Sequence, residues 1–327
     1  MNDENRTMNS NRKILIIVLI ILAFATILFI AFTPSHAIMS KDVTSANAIE
    51  IKVSNTSPSG TEDTVTYIGD ALINLAKTDT VNLAYDGTED NNLRYVGKDP
   101  NNYITFNNEL WRIVGVFTNV SDGTNKETRV KLVKAEPLVD YKFGVSDTND
   151  FGTTTLATTL NNDYLSKLTL DSQNYIDNAV WNTAGKDLTD PNTAQAFYTA
   201  NNVYTGSNAN FTGKVGLLTA ADYGYSTAGG ATANRDSCLN ANLNTWNASS
   251  DCYANSYLYN STSPLITLTP RSDVNTSLYA VDMTGNVSSI NLTDSTITYS
   301  VYPSVYLKTD VSVKSGTGTN TDPYVLK

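Results

Sequence analysis

Two neighbouring segments, YITFNNELWRIVGV at residues 103–116 and TRVKLVKA at residues 128–135, decide the fold of the chain. Both are rich in β-branched and aromatic residues, and the second alternates apolar and polar side chains as a half-buried strand does. The NNE at residues 107–109 supplies turn-forming asparagines. We therefore expect strands at 103–106 and 110–116, with TRVKLVKA pairing to the second strand across the loop NVSDGTNKE.

Short strands and helices are expected to complete a mixed fold around this hairpin. Further strand patterns occur at residues 93–96, 215–219, 265–269, 278–282, 287–292, 304–308 and 311–313. Apolar stripes at helical spacing occur at residues 65–80, 156–168, 175–180, 193–201 and 234–246, and Asp171 or Ser172 is a suitable N-cap for the third stripe. Because strands come first, helices in the middle and short strands last, the order predicts one α+β domain of short antiparallel strands and a few helices.

A long apolar run near the N-terminus predicts a transmembrane helix. Residues 14–32, ILIIVLIILAFATILFIAF, are nineteen residues without a charge. At about 1.5 Å per residue, this run is just long enough to cross a hydrocarbon core of about 30 Å. Arg12 and Lys13 directly precede it, and positively charged flanks stay on the cytoplasmic side. The resulting division is a cytoplasmic tail at 1–13, a plasma-membrane anchor at 14–32, a polar stalk at 33–64 and an extracellular domain at 65–327, whose first helix at 65–80 packs on the domain or lifts it off the membrane.

A cleaved signal peptide is the alternative to this anchor. Ser35 and Ala37 are small residues at the two positions that a cut after Ala37 requires. The apolar run exceeds the roughly 7–15 residues of a secretory h-region, which favours the uncleaved anchor. In both alternatives the folded part is exported. If the chain is cut after Ala37, the folded part is secreted.

The composition excludes several classes of site. Histidine occurs once, at His36, and cysteine twice, at Cys238 and Cys252. These numbers exclude a Ser-His-Asp or Cys-His catalytic centre in the folded part, a multi-histidine metal centre and a four-cysteine zinc site. The formal net charge of −10 disfavours nucleic acid and anionic membrane surfaces as ligands. We expect no cofactor and no nucleic-acid partner.

Five motifs occur along the chain in a fixed order. They are NNLRYVG at 91–97, NNYITFNNELWRIVGVF at 101–117, GKVGLLTAADYGYST at 213–227, LTPRSD at 268–273 and VYLKTDVSVKSGTGTNTDPYVL at 305–326. In this order they resemble a family of uncharacterised, single-pass, exported bacterial surface proteins that share a domain of unknown function. The C-terminal module of that family is in turn similar to the formylglycine-generating-enzyme and C-type-lectin-like fold. The resemblance implies an exported, anchored domain with a lectin-like C-terminal end, and it implies no particular activity.

The chain departs from the family pattern at two positions. Tyr302 stands where the family tends to have an arginine in V-R-P, and Ile266 stands where it tends to have a tryptophan before L-[ST]-P. An ion pair of that arginine, or a ligand contact of that tryptophan, therefore does not transfer to this chain.

The two cysteines are predicted to form a structural disulfide. Cys238 and Cys252 enclose thirteen residues in CLNANLNTWNASSDC, and an even pair at short range in an exported protein is typical of a disulfide. The copper-binding cysteine pair of formylglycine-generating enzymes is the alternative. Those cysteines are much closer in sequence and belong to a different motif, so we do not expect that activity.

Acidic side chains suggest two further hypotheses, a calcium loop and a carboxylate pair. The segment DGTEDNN at 86–92 has oxygen side chains at alternate positions, but the EF-hand pattern fails at Asn91 and Gly97. A solvated acidic turn is the favoured interpretation. Carboxylate pairs for a hydrolase occur at Asp147 and Asp150, at Asp187 and Asp190, and near Glu109. A glycosidase needs its two carboxyl groups about 5–10 Å apart, which sequence spacing does not show.

Tyrosine gives the best signal for binding, because tyrosine with asparagine, serine and glycine is typical of rigid recognition surfaces. Twelve of the 19 tyrosines follow residue 195, at positions 198, 204, 223, 225, 253, 257, 259, 279, 299, 302, 306 and 324. The alternative is that most of them pack in half-buried strands. The predicted binding residues are Tyr257, Tyr259, Tyr279, Asn286 and Tyr302. Trp111 and Trp181 are predicted to belong to the core.

These observations favour a membrane-anchored, surface-displayed recognition or adhesion protein without catalytic activity, whose ligand is a glycan or a protein. A carboxylate-dependent hydrolase acting on cell-wall polymer is the second hypothesis. A structural subunit of the cell envelope is the third. The sequence provides the location and the fold class more directly than it provides the ligand.

Overall fold

A computed structural model of the chain shows a mixed α+β fold made mostly of strands. The structure describes residues 65–138, 143, 148–203, 210–248, 251–294 and 300–327. The predicted anchor at 14–32 and the stalk at 33–64 lie outside these residues. No helix in the described part of the chain is long and apolar enough to cross a membrane.

The strands are short except for two in the middle of the main sheet. They are β1 (Leu83–Tyr85), β2 (Leu93–Tyr95), β3 (Tyr103–Phe106), β4 (Glu109–Ser121), β5 (Lys126–Lys134), β6 (Ala179–Asn182), β7 (Asn210–Gly213), β8 (Val215–Gly216), β9 (Leu265–Pro270), β10 (Ser277–Val281), β11 (Val287–Asn291), β12 (Ser304–Tyr306), β13 (Val313–Ser315) and β14 (Tyr324–Leu326). The strands predicted at 215–219, 304–308 and 311–313 are shorter or shifted in the structure, and the other predicted strands are confirmed.

The hairpin of β3 and β4, with β5 paired to β4, forms as predicted and lies in the middle of the main sheet. Antiparallel pairing places Trp111 opposite Lys134 and Gly115 opposite Lys131. Asn107 and Asn108 connect β3 to β4 with φ angles of 58° and 57°. Asparagine adopts this left-handed conformation more readily than most residues, and two such residues make the tight turn whose twist suits a hairpin.

Strands from distant parts of the sequence complete the main sheet around this hairpin. Among the described residues it has nine strands in the order β13-β14-β3-β4-β5-β12-β8, with β2 paired to β4 and β1 paired to β2. β14 lies parallel to β3, and the other pairs of this sheet are antiparallel. β11, β10 and β9 form a second sheet, and β6 and β7 form a third. The C-terminal strand β14 is thereby held between β13 and β3.

The helices are short and lie between the strands. They are α1 (Ile68–Leu75), α2 (Thr155–Thr159), α3 (Leu165–Lys167), α4 (Leu170–Tyr175), α5 (Ala194–Val203), α6 (Ala220–Tyr225) and α7 (Arg235–Leu239). A π-helical turn, Leu160–Tyr164, joins α2 to α3, so the stripe predicted at 156–168 is helical. The helices predicted within 65–80 and at 193–201 are confirmed as α1 and α5. The helix predicted at 234–246 is divided into α7 and a 3-10 helix, Leu243–Ala248.

The helix predicted at 175–180 is wrong. Helix α4 ends at Tyr175 and is capped by Thr169, whose side chain accepts a hydrogen bond from the Ser172 N–H, so neither Asp171 nor Ser172 is the cap. The chain then becomes strand β6, which pairs with β7. Burial alternates from one residue to the next along β6, as it does in a strand with one buried face. This alternation also fits the spacing of the apolar residues in the sequence. Over so few residues a helical stripe and a strand are not distinguished by periodicity.

The two faces of the main sheet differ in chemistry. Successive residues of a strand point to opposite faces, so Val130 and Leu132 lie on one face of β5 and Lys131 lies on the other. Helix α1 covers the apolar face, where Ile68 and Leu72 are buried and Gly69 lies close to Val130. The opposite face, which we call the cationic face, carries Arg94, Arg112, Arg129 and Lys131. Helices α5 and α6 lie over the cationic face, and the site is found there.

Candidate functional site

A cavity of about 100 Å³ lies on the cationic face, and we call it the central cleft. Its aromatic and apolar residues are Phe117, Val120, Val180, Trp181, Ala221, Leu268 and Tyr306. Its polar residues are Asp90, Asn92, Arg94, Asn119, Lys131, Asn182, Tyr198, Asn201, Asn202, Thr219 and Asp222. The cleft therefore combines aromatic rings with an unusual number of amide side chains.

Strand pairing and one helix bring these residues together. Lys131 of β5 lies directly opposite Tyr306 of β12, so both side chains point into the cleft. Helix α5 provides Tyr198 together with Asn201 and Asn202, which are three and four residues further on and share its face. The Asn182 amide of β6 donates a hydrogen bond of 2.6 Å to Asn202 Oδ1, which fixes the helix to the strand at the rim.

A buried network of four charged groups lies beneath the cleft. Arg94 Nη1 and Lys131 Nζ donate to the two oxygens of Asp222 at 2.6 Å and 2.7 Å. Arg94 Nε donates to Asp86 Oδ2 at 2.9 Å. All four side chains are at most 3% exposed. Two cations and two carboxylates balance each other, so the network presents no net charge to the cleft.

The network holds Asp222 ionised. Burial disfavours the carboxylate, but the charges of Lys131 and Arg94 outweigh burial and hold the pKa of Asp222 well below its ordinary value. Asp222 is also the third residue of a capping box with Thr219, whose N–H donates to its carboxylate at 2.9 Å. Burial likewise disfavours the charged form of Arg94, and the two carboxylates overcome it and raise the pKa of Arg94. A carboxyl group in this position is structural and does not serve as a general acid.

Aromatic rings surround the Lys131 ammonium. Its nitrogen lies 5.2 Å from the Trp181 ring centroid and 5.4 Å from the centroids of Phe117 and Tyr306. Cations at such distances from ring faces are attracted electrostatically. The same rings line the cleft, so the charge network packs directly against the aromatic wall of the cleft.

Asn201, which lines the cleft, has one side-chain acceptor without a partner among the described residues. Its side chain is 6% exposed, and its Oδ1 is buried without a hydrogen-bond partner in the described part of the chain. An unsatisfied buried polar group costs about 1–3 kcal/mol of stability. Such an atom is therefore a place where a ligand hydroxyl or N–H donor gains more than it would on the open surface.

Asp90 is held at the rim by two donors. The Tyr198 hydroxyl and the Asn119 amide each donate a hydrogen bond to one of its oxygens. Burial and the hydrogen bond to Asp90 together raise the pKa of Tyr198 to about 12. Tyr198 therefore remains a neutral donor at physiological pH, and Asp90 remains oriented.

Three of the five predicted binding residues line a different cavity. Tyr257, Tyr259 and Tyr302 share a cavity of about 90 Å³ with Arg112, and we call it the arginine cavity. The Tyr259 hydroxyl donates to the Met283 carbonyl at 2.9 Å. The proposed role of these three tyrosines stays a prediction, and the structure brings them to one place.

The other two predicted binding residues lie elsewhere. Tyr279 of β10 is buried, and its hydroxyl donates to the Asp187 carbonyl at 2.8 Å. Asn286 lies in the turn between β10 and β11, where its Oδ1 accepts from the Asn247 N–H at 3.0 Å. Both side chains make contacts within the protein, and neither lines the central cleft or the arginine cavity.

The predicted disulfide is confirmed. Cys238 and Cys252 are bonded, with their Cα atoms 5.6 Å apart. Trp246, which lies between them in sequence, is buried and donates from Nε1 to the Cys238 carbonyl at 3.1 Å. Trp111 and Trp181 are buried as predicted.

The acidic turn at 86–92 does not have the geometry of a calcium loop. The Asp86 oxygens accept hydrogen bonds from both Thr88 and Asn92 as well as from Arg94. Those donors occupy the lone pairs that a cation would need. The described residues contain no group of three His, Cys, Asp or Glu side chains that could hold a metal ion. The expectation that the turn is solvated is wrong for Asp86, which is buried.

The carboxyl groups of the candidate pairs make hydrogen bonds or ion pairs within the protein where the structure describes them. Hydrogen bonds from Thr189 lower the pKa of Asp187, and Asp190 accepts from the Asn192 amide at 3.0 Å. Asp150 accepts from the Gly152 N–H at 3.2 Å, and Asp147 lies outside the described residues. Glu109 forms an ion pair of 3.1 Å with Lys134.

Comparison with known proteins does not identify the chain. No protein-family model, curated protein or solved structure matches it. The case for a function therefore depends on the residues and geometry of the cleft.

Sequence reasoning missed the residues that form the central cleft. Lys131 fits an alternating strand as a solvent-facing residue, and Asp222 lies 91 positions away from it. Asn201 and Asn202 are part of a chain in which asparagine is abundant everywhere. The one available signal was the basic residue within each of the strongly apolar strands LRYV and TRVKLVKA, since a cation in the middle of a sheet requires a partner.

Proposed function

We propose that the protein is a non-catalytic recognition module whose central cleft binds a neutral saccharide. The observation that carries this proposal is the unpaired, buried Oδ1 of Asn201, a residue that lines a cleft with aromatic walls. A sugar hydroxyl supplies the donor that this oxygen lacks. The exposed amides of Asn182 and Asn202 can both donate to and accept from further hydroxyls.

The chemistry of the cleft favours a neutral ligand with one apolar face. The charges of Arg94, Lys131 and Asp222 are already paired within the protein, so a charged ligand gains no free counter-ion there. The Trp181 and Tyr306 rings offer the flat, partly polar surface against which the C–H face of a sugar packs. Few other ligand classes combine an apolar face with a ring of hydroxyl donors.

The geometry supports the hydrolase hypothesis less well. A glycosidase of the usual kind needs one carboxyl group that is protonated and one that is ionised and free to act. At the central cleft, Asp222 is held ionised by two cations, and Asp90 is bound by Tyr198 and Asn119. The remaining hypothesis, a structural envelope subunit, has no specific observation in its favour.

We further propose that this module is displayed outside the cell. The apolar run at 14–32 supports a plasma-membrane anchor, and cleavage near Ala37 with secretion is the alternative. The disulfide between Cys238 and Cys252 is compatible with either, because disulfides persist in oxidising compartments. Membership of the exported bacterial family, and a lectin-like C-terminal end, are part of the same proposal and depend on the motif order.

A glycan array tests this proposal. The full chain, purified in a mild detergent, is applied with and without calcium, and the tightest neutral glycan is then titrated against variants. We expect Asn202→Ala at the rim to weaken binding by roughly 2- to 10-fold, the value of one hydrogen bond. Asn174→Ala, at an exposed asparagine on α4, is the matched control and should bind normally.

Three outcomes contradict the proposal. If no glycan on the array binds and the chain turns over peptidoglycan fragments, the result supports the hydrolase. If no glycan binds and the chain self-associates, the result supports the structural subunit. Binding that is equally weakened by Asn202→Ala and Asn174→Ala places the ligand outside the cleft.

A further inference from the structure

Arg112 is the cation of the cationic face with the weakest carboxylate partner. Arg94, Arg129 and Lys131 each have a carboxylate oxygen within 2.9 Å. The partner of Arg112 is Asp99, at 3.3 Å, and the Asp99 side chain is 69% exposed. The charge of Arg112 is thus poorly compensated although its own side chain is only 12% exposed.

The Arg112 guanidinium is held in place by groups that leave one of its nitrogens open. Its carbon lies 3.7 Å from the Tyr103 ring centroid and 5.0 Å from the Tyr257 ring centroid. Its Nε donates to Asn102 Oδ1 at 2.5 Å, and its Nη2 faces Asp99. Nη1 donates to no residue in the described ranges. A fixed guanidinium with an unused donor is pre-organised to bind an acceptor.

Arg112 lines the arginine cavity. The cavity of about 90 Å³ is larger than the roughly 10–15 Å³ that a single water molecule requires. Tyr257, Tyr259 and Tyr302 line it, and Asn260 lies at its exposed edge. The Tyr302 hydroxyl donates to Ser263 Oγ at 3.1 Å, so its ring is fixed. No described carboxylate lines this cavity.

We propose that the arginine cavity binds the carboxylate of an acidic sugar, at a second site separate from the central cleft. A carboxylate carries one negative charge and accepts directly from a guanidinium, which suits Arg112, the cation of the cationic face with the weakest carboxylate partner. The three tyrosine side chains supply the surface for the sugar ring. The choice of a sugar as the carrier rests on the proposed function, whereas the choice of a carboxylate rests on Arg112 alone.

A uronic-acid glycoside provides the direct test. Binding of methyl β-D-glucuronide and of neutral methyl β-D-glucoside to the full chain in detergent is measured by saturation-transfer NMR titration. We expect the glucuronide to bind at least about tenfold more tightly than the glucoside, because a hydrogen bond between charged groups adds that much affinity. Arg112→Gln should abolish the difference.

A second variant keeps the test decisive if Arg112→Gln fails to fold. Asn260 Oδ1 accepts from the Thr262 N–H and hydroxyl, so Asn260→Asp keeps this turn and adds a negative charge at the edge of the cavity. We expect it to weaken glucuronide binding several-fold through like-charge repulsion. Asn240→Asp, at an exposed position on another surface, should leave glucuronide binding unchanged.

The outcomes separate this site from the central cleft. Asn201→Leu should leave glucuronide binding intact, even if it abolishes binding of a neutral glycan. Equal binding of glucuronide and glucoside, or glucuronide binding that survives both Arg112→Gln and Asn260→Asp, overturns the proposal. The proposal is also overturned if N-acetyl-D-alanine binds and the glucuronide does not, because the carboxylate that the cavity recognises would then belong to a peptide.

Discussion

Asp222→Asn is the sharpest perturbation of the network beneath the central cleft. The substitution removes one negative charge and keeps the size of the side chain. Its amide oxygen can still accept from Thr219, so the cap of α6 is retained. What changes is the balance of buried charge, because Arg94 keeps Asp86 as a partner whereas Lys131 loses the one carboxylate that it contacts among the described residues.

The expected loss of stability is large because the network is buried away from solvent. Asp222 and Lys131 are 3% and 2% exposed, so water does not screen the uncompensated cation. Removing one partner of a buried ion pair costs about 3–5 kcal/mol. The matched control is Asp273→Asn, which breaks the ion pair with Arg271 at a carboxylate that is 43% exposed. An exposed pair contributes roughly 0–1 kcal/mol, so the control should be nearly neutral.

Urea unfolding of the full chain in detergent, followed by tryptophan fluorescence, measures both variants. The pKa of Asp222 is lowered by folding, so its contribution is complete above the unfolded pKa of about 3.9 and is lost as the pH falls through the folded value. The difference between wild type and Asp222→Asn should therefore be constant from pH 7 to pH 5 and shrink below about pH 4. A loss below about 1 kcal/mol, or one equal to that of Asp273→Asn, refutes the reasoning.

Four further changes test other parts of the fold. Cys252→Ser should lower the free energy of unfolding by about 3 kcal/mol, because it opens a loop of about 15 residues, and mass spectrometry without reductant should show no free thiol in the wild type. Gly216→Ala should cost about 1–3 kcal/mol, because a Cβ there would lie 2.5 Å from the Trp181 ring, whereas Gly69→Ala in α1 meets nothing closer than 3.8 Å and should stabilise by roughly 0.5–1 kcal/mol in thermal unfolding. Chelator should leave the Tm unchanged, because the Asp86 oxygens already accept hydrogen bonds, and a lower Tm with EDTA would contradict that assignment.

Local patterns predicted much of the fold because they are decided within a few residues. The β3-β4 hairpin follows from the two asparagines of its turn, and the pairing of β5 with β4 follows from the alternation of apolar and polar residues in β5. The same locality explains the error at 175–180, where four apolar residues fit a helix and a strand equally well. The segment forms a strand because it pairs with β7, and β7 lies about thirty residues further along the chain.

The cleft could not be predicted, because its residues meet only through long-range pairing. Arg94 and Asp222 are separated by 128 positions, and Tyr198 and Asp90 by 108. Local sequence shows a charged residue in a strand and a charged residue after a turn, with nothing to connect them. The tyrosine signal was more informative, since three of the predicted residues line one cavity, but it did not indicate Arg112 as their partner.

Asn201→Leu tests the central claim most directly, because it separates stability from binding. The variant replaces an unpaired buried oxygen by an apolar group of similar size, so the free energy of unfolding should be unchanged or raised by about 1 kcal/mol. Affinity for the neutral glycan selected on the array should fall at least about tenfold, since the ligand's donor loses its acceptor. A variant that folds and binds as tightly as the wild type would contradict the assignment of the central cleft as the recognition site.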